Sequence, residues 1–159
     1  MNIYLKAIGI GTVAGMRCAS APALTSYYFA NNPSLFLDAS PLKGLGQQTT
    51  SNVLKFMAVG ELVADKLPKC PNRTDPGALT ARAVSGGVCA AAVFLAEGER
   101  PEVGAALGAA SSVASAFFFM NLRRILGKAM EIPDPIIASA EDGIALGIGF
   151  AVFPPRKNT

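Results

Sequence analysis

Residues 60–87 read GELVADKLPKCPNRTDPGALTARAVSGG: two apolar segments joined by a short basic loop, with Glu61, Asp65 and Arg82 set inside them. Acids and an arginine within runs of Val, Leu, Ala and Gly point to a membrane as the solvent. On that reading the apolar segments supply the surface of the molecule and the charges its interior.

Composition agrees. One domain fits the 159 residues, and 51% hydrophobic with 16% charged is too apolar for an ordinary soluble fold of that size. Trp is absent, which leaves Tyr4, Tyr27 and Tyr28 as the candidates for an interfacial aromatic belt. The absence of His removes the commonest metal ligand and proton shuttle, so proton chemistry falls to carboxylates. Cys18, Cys70 and Cys89 lack metal-ligand spacing and are expected to be reduced and structural. The net charge of +3 is too small to imply nucleic acid, and the basic residues gather between apolar segments. No cofactor and no nucleic-acid partner are expected.

Working outward, the chain divides into five apolar segments, at about residues 3–30, 50–67, 76–96, 102–126 and 135–153. The first carries Lys6, Arg17 and small residues Gly11, Gly15, Ala19 and Ala23 at every fourth position, with a bend expected near Pro22. A secretory signal peptide is the rival reading of this segment, but Arg17 interrupts its apolar run. In the second, Glu61 and Asp65 lie four apart on one helical face, with Phe56, Val59, Val63 and Leu67 available for the other. An amphipathic helix lying on the membrane surface is the alternative there, with four true spans instead of five. Asp75-Pro76 and Asp134-Pro135 each read as an N-cap followed by a first-turn proline. The fourth segment bears the stripe Gly104, Gly108, Ser112, Ala116 and the fifth bears Ser139, Gly143, Gly147, Ala151, spacings suited to close helix packing. The expected fold is an all-α integral membrane bundle of about five transmembrane helices packed through such stripes. An arginine followed by an acidic pair occurs in segments one–two and again in four–five, the pattern of an inverted repeat.

Basic residues set the orientation. Lys6, Lys66, Lys69, Arg73, Arg123, Arg124 and Lys128 on one side outnumber Lys43, Lys55, Arg100, Arg156 and Lys157 on the other, seven against five. That places the N-terminus in the cytoplasm and, with five spans in a bacterial inner membrane, the C-terminus outside.

Depth follows from helix rise. Glu61 precedes Pro68 by seven residues, Arg82 follows Asp75 by seven and Glu141 follows Asp134 by seven. At ~1.5 Å per residue each lies about 10 Å inside the same boundary. A network of Arg17, Glu61, Arg82, Glu141 and Asp142 is expected, with the Arg17 side chain descending toward Glu61, and with Asp65 and Arg123 or Arg124 below. An intramembrane charge costs ~2.5–3.5 kcal/mol on insertion scales, so these groups must face inward and pair. Two functions fit: a site for a proton, cation or small polar solute, in a permease or channel-like homo-oligomer, or a static network that fixes helix register. An enzyme is not expected, because no nucleophile–base pair or metal cluster is evident. Residues 75–82 are faintly similar to the opening of membrane CDP-alcohol phosphotransferases, but residues 86–96 lack the aspartates those enzymes need.

At Ala14-Gly-Met-Arg17…Ala21-Pro22, Gly60-Glu-Leu-Val-Ala-Asp-Lys-Leu-Pro68, Arg82-Ala-Val-Ser-Gly-Gly87 and Glu141-Asp142, the chain resembles the membrane proteins grouped as Domain of Unknown Function 4126. The resemblance covers nearly the whole chain and implies a bacterial integral membrane protein. It brings no assigned activity and no catalytic residue.

Overall fold

The computed structural model describes residues 1–64, 75–130 and 134–154. Among these, the regular elements are all helical: α1 (Ile3–Met16), α2 (Ser20–Asn31), the single turn α3 (Leu35–Asp38), a 3-10 segment (Pro41–Gly46), α4 (Gln48–Ala64), α5 (Pro76–Ala96), α6 (Pro101–Met130) and α7 (Asp134–Val152). α5 matches its expected bounds, and α6 and α7 hold the fourth and fifth segments. Pro76–Ala96 and Pro101–Gly127 are long and apolar enough to cross a membrane, with mean hydropathies of 1.6 and 1.7.

The first segment is not one helix. α1 ends at Met16, Arg17 takes an extended backbone (φ −139°, ψ 107°), and α2 starts at Ser20. Pro22 therefore marks the first turn of a new helix, where its missing N–H breaks no intrahelical bond, and not a bend in a continuous one. Tyr4 meets Phe94 edge-on at 5.5 Å, while the Gly15 carbonyl meets Arg82, so α1 runs antiparallel to α5. Ser85 reaches the Cys18 carbonyl, and Ser34, just past α2, reaches the Ala96 carbonyl, so α2 runs parallel to α5. α1 and α2 thus form a helical hairpin with its tip at residues 17–19.

This topology gathers one set of ends at a common pole, the base. There Lys6 pairs with Glu97 at 2.5 Å, and Tyr28 stacks on Phe153 at 4.6 Å. The start of α1 and the ends of α2, α5 and α7 are therefore neighbours, so residues 2 and 154 lie on the same side. The expectation of opposite ends took residues 3–30 as a single helix, which the break after Met16 replaces by two. The expected inverted repeat also loses its correspondence: segment one is a hairpin of two helices, whereas α6 is continuous over 30 residues.

Small residues bring α1, α5 and α6 into backbone contact. Gly11 and Gly15 of α1 lie against Gly108 and Ser112 of α6, and Gly86 of α5 lies against the same two residues. A Cβ on Gly86 would sit 2.7 Å from the Gly108 carbonyl oxygen, and one on Gly104 would sit 2.6 Å from that of Ala90. The stripe Gly104, Gly108, Ser112 is thus the central seam. In α1 the stripe ends with the helix at Gly15, and Ala19 and Ala23 belong to the tip and to α2. On α7 the stripe faces outward: Ser139, Gly143, Gly147 and Ala151 are exposed, with open space around both glycines. Gly98 (φ +76°) closes α5 in the left-handed conformation, with the Glu99 N–H on the Phe94 carbonyl, and lets α6 return antiparallel.

Gly108→Leu should cost about 3 kcal/mol or more, because the side chain would meet the Gly86 backbone and not a movable side-chain end. Gly143→Leu, in open space, should leave the melting temperature in detergent nearly unchanged. Equal melting temperatures for the two variants would contradict the seam.

Candidate functional site

The hairpin tip leaves helix ends inside the protein. The last carbonyls of α1 and the first amides of α2 have no partner within their own helices. Ala19, the N-cap of α2, has no capping side chain. The partners come from distant elements, and they are the charged residues singled out above.

Glu61 on α4 accepts both exposed amides, Cys18 N–H on Oε1 at 2.8 Å and Ala19 N–H on Oε2 at 2.7 Å. A carboxylate on a helix N-terminus meets unsatisfied donors and the positive end of the helix dipole together. Arg82 on α5 does the converse at the end of α1, where Nη1 donates to the Gly15 carbonyl at 2.7 Å and to the Met16 carbonyl at 3.1 Å. Ser85, one turn along α5, donates to the Cys18 carbonyl at 2.7 Å. Arg17 extends to α7 and forms an ion pair with Asp142, in which Nε donates to Oδ1 at 2.6 Å. Ser112 on α6 donates to the Arg82 carbonyl at 2.8 Å, tying the seam to the site.

The structure thus brings Arg17, Glu61, Arg82 and Asp142 together around one turn of backbone. Glu61 and Arg82 share a level, as helix rise predicts. Glu141 is buried on α7 beside Asp142. One pairing differs from expectation: Arg17 closes on Asp142, while the Glu61 carboxylate takes backbone amides. With Arg17 in extended backbone beyond the end of α1, its side chain no longer follows the helix direction that would have carried it toward Glu61. Asp65 lies outside the described residues. Ser85 and Ser112 join the site without being marked for it in the sequence. Their only sequence signal is a hydroxyl within a small-residue face, which serves close packing equally well. Cys18 and Cys89 are free thiols.

The family model described as a domain of unknown function, DUF4126, matches residues 4–156. The chain belongs to the DUF4126 family. Neither a curated protein nor a solved structure matches it. The DUF4126 match covers the hairpin and all four helices that hold its tip.

Glu61→Ala would leave two part-buried amides without their acceptor, each at the low end of the ~1–3 kcal/mol that a buried unsatisfied group costs. Glu61→Gln keeps one acceptor and should lose less. Hydrogen exchange at Cys18 and Ala19 reads this directly: protection should fall for the alanine variant ahead of the rest of α2. Unchanged protection at both amides would contradict the capping role.

Proposed function

We propose that this DUF4126 chain is a small multi-pass membrane protein in which α4, α5, α6 and α7 cross the bilayer and α1–α2 form a re-entrant hairpin. Its permease or channel-like activity toward a proton, cation or small polar solute is centred on the hairpin tip. The observation that carries this reading is the break at Arg17–Ala19, held by intramembrane charges. Broken backbone at membrane depth is tolerated where it is enclosed by protein or lines a polar cavity, and opposed helix ends at mid-depth are how transporters present dipoles to solutes.

The inverted distribution of polarity supports the membrane. Arg17, Arg82, Glu141, Thr25 and Ser112 are buried, whereas Phe56, Val63, Phe118 and Ile125 are 83%, 61%, 61% and 61% exposed. Large apolar side chains this exposed, on helices whose charges are buried, suit a lipid-facing surface. Four crossings, with the hairpin entering from the base, also change the charge balance. Lys6 moves to the other side, so seven against five becomes six against six. The basic count then assigns no orientation, and both termini share a side.

A second reading has its own support. Each oxygen of Glu61, and Nη1 of Arg82, already has a backbone partner. Such caps can act as static register pins in a structural or assembly protein. Flux separates the two readings. In proteoliposomes loaded with a pH-sensitive dye, the wild-type chain should dissipate an imposed proton or sodium gradient, and Glu61→Gln should cut that rate at least tenfold while the protein stays folded. Wild-type flux no faster than empty vesicles, or Glu61→Gln flux equal to wild type, would favour the scaffold.

Self-association follows from the outward stripe of α7, whose Gly143 and Gly147 form a GxxxG spacing. Gly147→Leu should abolish cross-linked dimers in membranes without lowering stability. Dimers persisting in that variant would place the interface elsewhere.

A further inference from the structure

A groove of about 350 Å³ lies between α2, α4 and α7. Its walls are apolar, with Leu24, Val59, Leu62, Leu146 and Phe150 among them, and Lys55 and Tyr27 lie toward its base end. This volume is at the lower end of the range for small-ligand sites. The recess extends along α4 from Lys55 to Leu62, about 10 Å of helix, and reaches Ser20 beside the hairpin tip.

Lys55 is the second observation. It lies seven residues into α4 from the base, roughly 10 Å from the start of the helix. Its ammonium rests 4.5 Å over the Tyr27 ring. Among the described residues it has no carboxylate partner, in contrast to Lys6 and Arg17. A lysine on α4 points back toward the helix N-terminus, which here is the base, so its head aims at the membrane surface while its stem lies along the groove.

We infer that this groove holds an anionic phospholipid, with one acyl chain lying along Leu24, Val59 and Leu146 and the phosphate on the Lys55 ammonium. The inference rests on the membrane reading above. An apolar groove ending in a cation with no acidic partner among the described residues fits such a lipid in both its parts: the tail matches the walls, and the phosphate supplies the countercharge. Basic residues between membrane helices select anionic headgroups in the same way. The lipid would then pack against α2 and α4, the two elements joined at the tip by Glu61, and would brace the hairpin from outside.

The test is native mass spectrometry of the full chain in mild detergent, titrated with phosphatidylglycerol and with phosphatidylcholine of the same acyl chains. The wild-type chain should retain one phosphatidylglycerol, preferred about fivefold over phosphatidylcholine, the factor one lysine near the membrane surface supplies. Lys55→Gln should bring the two lipids to parity. Ala58→Phe, which fills the groove, should remove both, while Lys43→Gln, outside the groove, should keep the preference. An unchanged preference in Lys55→Gln would overturn the assignment, as would full binding in Ala58→Phe. So would displacement of the lipid by millimolar inorganic phosphate alone, or a dimer that Ala58→Phe dissociates with no change in lipid binding. Extraction of the wild-type chain from membranes by alkaline carbonate would overturn the membrane reading itself. Loss of lipid selectivity in a chain that resists extraction would overturn only the groove.

Discussion

The fold depends on satisfying backbone groups where a helix is broken inside the protein. At residues 17–19 the chain reverses, leaving the last carbonyls of α1 and the amides that lead into α2 without partners in their own helices. Glu61 takes the amides and Arg82 takes the carbonyls. Opposite charges are thereby matched to opposite helix ends, and each lies where the local dipole favours it. These side chains come from α4 and α5, so closing the hairpin also fixes where those helices stand. Arg17 extends the same logic to α7 through Asp142.

Glycine makes that arrangement reachable. Arg82 can meet the end of α1 because α1, α5 and α6 approach at backbone distance along Gly11, Gly15, Gly86 and Gly108. A methyl group at several of these positions would push the helices apart and lengthen every hydrogen bond at the tip. Ser112 serves both purposes, being small enough for the seam and polar enough to hold the Arg82 carbonyl. Packing and polar satisfaction are therefore a single constraint here.

Much of this is legible in the sequence, for physical reasons. The start of α5 is marked by Asp75-Pro76, and the Gly104–Gly108–Ser112 face of α6 has a spacing suited to close packing. The common level of Glu61 and Arg82 follows from helix rise alone. The hairpin is different. Its break carries no cap of its own, since Ala19 has no polar side chain, and the groups that stabilise it lie more than 40 residues away. A locally apolar run therefore reads as one long helix, with Pro22 as its obvious irregularity. The α7 stripe misleads in the opposite direction: spacing reveals that a face is small, not which side of the helix the core lies on.

These features make the hairpin tip the centre of the molecule, with the groove on α2 and α4 as its flank. The most direct test is the sidedness of the two ends of residues 3–30. In a variant lacking native cysteines, Asn2→Cys and Leu35→Cys are labelled separately in sealed, oriented vesicles with a membrane-impermeant maleimide. The hairpin predicts labelling of both from the same side. Labelling from opposite sides would mean that the segment crosses the bilayer as one helix, and the account of the tip would fall with it.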